Sequence, residues 1–298
     1  MKKTPKGFAQ IIPLIAIAIV ITALIFLGPK IIQQEIPSDQ NQQATPSATI
    51  EISPNPTPSP TPTPTPLKSP TQSPSPKPPA SAAPKTNVTT SSNYTVLTYD
   101  LGSTTVVTDT GNDSDCSNNC VTKPLAQYIS ENGGRAGMNG TYFCPQDYAS
   151  CSSKVNSFDF AVWNNRNKKW INASTLFWEG RGMMVFRPGS AQFFSCASCT
   201  GAPSDITGGI VNYPSLLSGG NVLVSDGTKG TRSGIGFGGG KLFLVVARNA
   251  SFLDLANIFK SLGATEALNL DGGGSVALYD GTYKVGPGRN LPNAVIIK

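Results

Sequence analysis

The sequence predicts an α+β fold, a mixed α/β sheet with flanking helices, in a single C-terminal domain that follows a transmembrane anchor and a Pro-rich stalk. Three observations predict it. A strand–helix–strand succession runs through residues 241–270, the order that lays helices on a sheet. Thirteen of the 25 prolines fall between Pro54 and Pro84, and such a stretch cannot build a packed core. An apolar run from Phe8 to Leu27 follows Lys2, Lys3 and Lys6. The expected division is an anchor over 1–30, a disordered spacer over 31–92 and the folded domain over 93–298.

The anchor comes first in the chain. Only Gln10, Pro13 and Thr22 interrupt the run from Phe8 to Leu27, which is long enough for a hydrocarbon core of about 30 Å. Lysines ahead of it stay cytoplasmic and send the C-terminus outward. No small-x-small pattern follows at Phe26-Leu27-Gly28-Pro29-Lys30, so an uncleaved signal anchor is expected rather than a removed signal peptide. The expected location is the cell membrane, single-pass, with the domain extracytoplasmic. The Pro/Thr/Ser spacer populates polyproline II and acts as a stalk, or else as a plain disordered linker.

Charge and composition narrow the function classes. Residues 1–92 carry seven Lys/Arg and three Asp/Glu, and the remainder sixteen and fourteen. The near-neutral domain lacks the basic face that nucleic acid demands, so no nucleic-acid partner is expected. The chain contains no histidine, which excludes Ser-His and Cys-His pairs and every His-ligated metal. Acid–base work therefore falls to Asp, Glu, Lys, Tyr or Cys. Six cysteines come in close pairs, Cys116 with Cys120, Cys144 with Cys151, and Cys196 with Cys199. Outside the cytoplasm such pairs read as disulfides stapling short loops; free thiols and a structural zinc are the alternatives.

Within the domain, Tyr94–Tyr99 and Thr104–Thr108 read as β-branched or aromatic strands, and Pro124–Ser130 as a short helix. Lys241–Ala247 is apolar without a break after its first residue, the pattern of a buried strand. Ser251 caps a helix, with Asp254 three residues on; Phe252, Leu255, Ala256, Phe259 and Leu262 form its apolar stripe and Gly263 ends it. Ala267–Leu270 is a strand that runs into Asp271-Gly272-Gly273-Gly274-Ser275, after which Val276–Tyr279 is extended again. Three bare glycines leave backbone N–H groups open to a ligand as an anion-binding nest, beside the Asp271 carboxylate and the Ser275 hydroxyl. By spacing alone the same residues also make a tight turn.

Leu268–Ser275 resembles the signature of the phosphodiester glycosidase domain family, whose type enzyme is N-acetylglucosamine-1-phosphodiester α-N-acetylglucosaminidase. Three further stretches match in order. Met138-Asn139-Gly140-Thr141-Tyr142-Phe143 resembles its Asn-Gly-x-Tyr-Phe element, Thr231–Gly236 its Arg-containing strand start, and Arg289–Ala294 its Arg-x-x-x-Asn element. The resemblance covers about Tyr94 to Lys298. It implies a hydrolase that cleaves a sugar 1-phosphodiester, with a carbohydrate-phosphate or cell-envelope glycan as partner.

The residue roles follow from that substrate. Its single negative charge calls for planar guanidinium forks, and Arg232 and Arg289 are the pair within matched motifs. Asp271 is the expected nucleophile, general base or stabiliser of an oxocarbenium-like state. Asn139, Asn269 and Asn293, with Gly140, Gly272, Gly273, Gly274 and Ser275, are expected to bind substrate or orient Asp271. Tyr142 can donate a proton or stack on the sugar, or simply fill the core. A phosphate monoester leaves readily, so a second carboxylate is dispensable; Glu266, Asp226 and Asp205 are the candidates if one is used. No cofactor is required, although Asp271 and nearby carbonyls suit calcium or magnesium. Two rival readings keep the same domain: a non-catalytic envelope-glycan module, and a phosphodiesterase cutting P–O.

Overall fold

A computed structural model describes residues 86–298. The expected anchor, and the expected spacer as far as residue 85, lie outside the described residues. Among the described residues no helix is long and apolar enough to cross a membrane.

The chain begins with strands β1 (Asn87–Thr90), β2 (Tyr94–Asp100) and β3 (Val106–Thr110), then helix α1 (Leu125–Glu131) and β4 (Ala136–Asn139). Next come β5 (Val162–Asn164), β6 (Lys169–Ile171), β7 (Gly182–Arg187), β8 (Ser190–Phe194) and β9 (Gly208–Asn212). After β10 (Ser215–Ser218) and β11 (Asn221–Val222) follow two long strands, β12 (Gly230–Gly238) and β13 (Lys241–Ala250). Helix α2 (Phe252–Ser261) leads into β14 (Glu266–Asn269), β15 (Leu278–Asp280), β16 (Thr282–Val285) and β17 (Asn293–Ile297).

These strands form three sheets, ordered β1-β2-β13-β12-β14-β10-β11, β16-β15-β4-β17-β3 and β6-β5-β9-β7-β8. Every pairing of neighbouring strands is antiparallel. The expected α+β fold with a mixed sheet and flanking helices is therefore corrected: the domain is mostly β, with two α-helices among the described residues. The cause lies in β12. The strands flanking α2 do run parallel, as their strand–helix–strand order suggests, but β12 lies between them and pairs antiparallel with both. A crossover helix thus joins strands that are not neighbours.

The apolar run of β13 is buried on both faces. Leu242, Leu244 and Val246 point into the central core with Leu97, Met138, Phe186 and Val295. Phe243, Val245 and Ala247 face the other way, against Leu255, Ala256 and Phe259 of α2. Helix α1 covers the second sheet through Leu125, Tyr128 and Ile129. The strand expected at Thr104 starts later, because Leu101–Ser103 forms a 3-10 turn and the Thr104 hydroxyl donates to the Asp100 carbonyl at 2.6 Å.

The start of α2 is fixed by reciprocal capping. Ser251 Oγ accepts from the Asp254 N–H at 3.1 Å, and an Asp254 carboxylate oxygen accepts from the Ser251 N–H at 2.9 Å. Gly263 ends the helix with φ of 88°. Ser251→Ala leaves the Asp254 N–H without its capping partner at a half-buried position and is expected to destabilise the domain by about 1 kcal/mol. A urea-denaturation midpoint equal to that of the wild type would contradict this.

The cysteines pair as disulfides with their near neighbours, Cys116–Cys120, Cys144–Cys151 and Cys196–Cys199.

Candidate active site

The Asp271 loop lies where the first sheet hands the chain to the second. β14 pairs with β12 in the first sheet, and β15 pairs with β4 in the second. Between them, the Asp271 N–H donates to the Gly140 carbonyl at 2.9 Å, just past the end of β4. The Asp271 carbonyl accepts from Asn139 Nδ2 at 2.9 Å and from Ser233 Oγ at 2.7 Å. Asn139 is fully buried, and its Oδ1 accepts from the Ala277 N–H at 3.2 Å. Its side chain is thus committed to positioning both ends of the loop.

Gly140 is required by close approach. A Cβ there would lie 1.8 Å from Asn293 Oδ1, the atom that accepts from the Thr141 N–H at 2.9 Å. Asn293 Nδ2 returns a bond to Thr141 Oγ1 at 3.2 Å. The Asn-Gly-x-Tyr-Phe and Arg-x-x-x-Asn motifs therefore lock together, with Asn293 just ahead of the Ala294↔Asn139 register point. In the triple-glycine loop, Gly273 has φ of 60° and Gly273 and Gly274 are exposed.

The Asp271 side chain is 8 % exposed. Its Oδ1 accepts from the Gly272 N–H at 2.8 Å. Burial pushes its carboxyl up to about 7, against the opposing effects of the Ser275 hydroxyl, the Gly272 N–H and the Arg289 charge. A carboxyl titrating near neutrality exchanges protons readily under physiological conditions.

Arg289 flanks this loop. Its N–H bonds the Gly274 carbonyl at 3.0 Å, and its Nη1 lies 3.5 Å from Ser275 Oγ. Nε and Nη2 grip the Asp147 carboxylate in a fork at 3.0 and 2.6 Å, which holds Asp147 below the usual carboxylate range. Asp147 sits inside the Cys144–Cys151 disulfide loop, beside Tyr148, whose ring lies 5.1 Å from the guanidinium. Arg289 and Asp147 together line a cavity of about 300 Å³ with Thr122, Phe143 and Asn290. A larger hollow of about 650 Å³ beside α2 contains none of the expected site residues.

Asn269 and Tyr142 form the other flank. Asn269 Nδ2 donates to the Tyr142 hydroxyl at 2.7 Å and to the Tyr213 carbonyl at 3.0 Å. Burial raises Tyr142 to about 12, so its hydroxyl keeps a proton at neutral pH. Its ring is 5.4 Å from that of Tyr213 and 6.2 Å from that of Phe160. Ser275 is buried at the end of the glycine turn.

Arg232 is placed differently. Nη2 donates to the Thr228 carbonyl at 2.7 Å, Nε to the Ala250 carbonyl at 3.3 Å, and the guanidinium stacks 4.1 Å from the Phe252 ring. It makes no hydrogen bond to the Asp271 loop among the described residues; its charge acts on Tyr142 from a distance. The three candidate second carboxylates are also elsewhere. Glu266 accepts from the Gly219 N–H at 2.9 Å, at the far end of β14. Asp226 accepts from the Gly227 N–H at 2.9 Å and interacts with Ser251, and Asp205 is exposed. No three His, Cys, Asp or Glu side chains gather as metal ligands among the described residues.

Sequence reasoning missed Asp147, Tyr213 and Arg181, whose guanidinium lies 4.6 Å from the Tyr213 ring. A signal existed only for Asp147. The Cys144-x6-Cys151 bracket directly after the Asn-Gly-x-Tyr-Phe element marks a loop held over it.

The profile of the phosphodiester glycosidase family matches residues 132–298. Among solved structures, the fold is similar to the zebrafish N-acetylglucosamine-1-phosphodiester α-N-acetylglucosaminidase catalytic domain auto-inhibited by its pro-peptide. That likeness has a TM-score of 0.55 at 14 % identity and covers 74 % of this chain and 84 % of that one. A hypothetical protein from Synechocystis gives a TM-score of 0.46 at 13 % identity, over 72 % of this chain and 61 % of its own. A search of curated proteins finds no match.

Proposed function

The chain belongs to the phosphodiester glycosidase family, and on that premise we propose that it hydrolyses a sugar 1-phosphodiester at the anomeric C–O bond. One observation carries the reading: a buried carboxyl, Asp271, pushed up to about 7 at a sheet junction and flanked by the Arg289 guanidinium.

The chemistry divides between these groups. Arg289, held by Asp147 through Nε and Nη2, presents its remaining Nη1 edge and its charge to the diester phosphate from the Ser275 side of the loop. The anomeric C–O bond breaks, and its electron pair leaves with the phosphate monoester. The ionised Asp271 carboxylate stabilises the oxocarbenium-like charge on the sugar and takes a proton from the water whose oxygen bonds to the anomeric carbon. The departing phosphate monoester is already a weak base, so no second carboxyl acid is called for. Tyr142, protonated at neutral pH, donates to a sugar or phosphate oxygen. Arg232 lends positive charge without contact. The reading invokes no cofactor.

The three disulfides favour an extracytoplasmic setting. With the apolar run after Lys2, Lys3 and Lys6, they support a membrane-tethered enzyme acting on envelope glycans or other sugar phosphates.

Hydrolysis in oxygen-18 water tests the bond cleaved. The expected product carries the label in the sugar. Label in the phosphate would mean P–O cleavage and overturn the reading, and glycan binding without turnover would leave a binding module instead.

A further inference from the structure

We infer that Arg181 is a further substrate-contacting residue of this site and binds an oxyanion of the substrate; the inference rests on the reading that the Asp271 site takes a sugar phosphodiester. Of the guanidinium groups of Arg289, Arg232 and Arg181, two are engaged. Arg289 forks onto Asp147, and Arg232 donates to two backbone carbonyls. The Arg181 side chain makes one hydrogen bond, from Nη1 to the Glu179 carbonyl at 3.2 Å, and has no carboxylate within ion-pair distance among the described residues.

Its position is set in advance. The guanidinium carbon lies 4.6 Å from the Tyr213 ring centre and 5.2 Å from that of Phe160. Those two rings are 5.7 Å apart, and both pack on Tyr142. The Tyr142 hydroxyl bonds Asn269, two positions before Asp271. A run of packed rings therefore leads from the unpaired cation to Tyr142, and the Tyr142 hydroxyl is bonded to Asn269 next to the Asp271 loop. Stacking on π faces leaves the in-plane N–H edge of a guanidinium free for oxyanions and lowers the entropy lost when one binds.

The polar atoms around the stack have complementary vacancies. Arg181 Nε is a buried donor without a partner, and Asn212 Oδ1 and Asn269 Oδ1 are buried acceptors without one. Both amides are fixed in orientation, because their Nδ2 atoms donate to the Asn269 and Tyr213 carbonyls at 2.9 and 3.0 Å. One unpaired cationic donor and two unpaired amide oxygens match a sugar phosphate, which offers oxyanion acceptors and hydroxyl donors together. Just upstream, Phe177 and Trp178 are 64 % and 45 % exposed, aromatic surface on the same loop as Arg181.

The oxyanion is the diester phosphate itself or a second acid on the aglycone, and the test separates them. Binding of a hexose 1-phosphate to the purified full-length chain is measured calorimetrically for the wild type, Arg181→Met and Arg181→Lys. Methionine keeps a stem to cover the rings, and the expected loss is about tenfold or more, with an unchanged melting temperature. Lysine keeps the charge without the fork, and its loss is intermediate. KM is then compared for diesters with a neutral alkyl and with a carboxylate-bearing aglycone. A rise for both in Arg181→Met assigns the diester phosphate, and a rise for the acidic one alone assigns the aglycone acid. Unchanged affinity and unchanged KM in a folded Arg181→Met overturn the inference while leaving hydrolysis intact. A wild type that turns over neither diester, yet loses hexose 1-phosphate binding on Arg181→Met, discards hydrolysis and keeps the contact.

Discussion

Asp271→Asn lowers kcat about 10³-fold on a sugar 1-phosphodiester while the domain stays folded. The amide is nearly isosteric, and the anchoring of this loop is through the backbone: the Asp271 N–H to Gly140, and its carbonyl to Asn139 and Ser233. The amide oxygen can still accept the Gly272 N–H that now bonds Oδ1. What disappears is the negative charge facing the sugar and the ability to take a proton. The wild-type kcat/KM is expected to rise with pH and level off above about 7, as the carboxyl ionises. Retained turnover in the folded variant would remove Asp271 from the chemistry.

The same residue sets a large pH effect on stability. Its carboxyl is raised from 3.8 to about 7 in the folded chain, mainly by burial. Between those values the folded protein holds a proton that the unfolded chain has released. Stability from this group is therefore fully present below about pH 4 and is lost as pH rises through about 7. A displacement of three pH units corresponds to about 4 kcal/mol at most. Other carboxyls, among them Asp254, Asp226 and Glu131, are held low and act in the opposite sense at acid pH. Comparison with Asp271→Asn cancels them. The unfolding free energy of the variant relative to wild type should climb by this amount between pH 4 and 7.5. A difference that stays flat with pH would show that Asp271 titrates as an ordinary carboxyl.

Much of the first sheet was legible because its signals are local. β2 and β13 announce themselves by β-branched and apolar runs, and α2 by Ser251, Asp254 and its apolar stripe. The antiparallel architecture was not legible, since insertion of β12 between two parallel strands is a long-range event that no window of sequence records. The third sheet was missed for a related reason. β5 and β6 have three residues each, too short for alternation to emerge, and their burial comes from partners distant in the chain.

The site divides along the same line. Asp271, Asn139 and Arg289 lie in motifs and meet at one loop, and Asn293, also in a motif, bonds Thr141 next to Gly140. Arg232 lies in a motif too, yet the carbonyls of Thr228 and Ala250 claim its donors. Arg181 and Tyr213 carry no motif, because only tertiary packing brings Tyr213 beside Asn269 and Arg181 onto the Tyr213 ring.

Hydrogen bonds of the Asp271 backbone with the Gly140 carbonyl and the Asn139 side chain make the residue that carries the reacting group a rivet between two layers. Slippage of one layer against the other would pull that group from its place before any strand melted. Loss of activity on warming would then be an early gauge of interlayer slip, and a substrate bound across the seam would brace the protein against it.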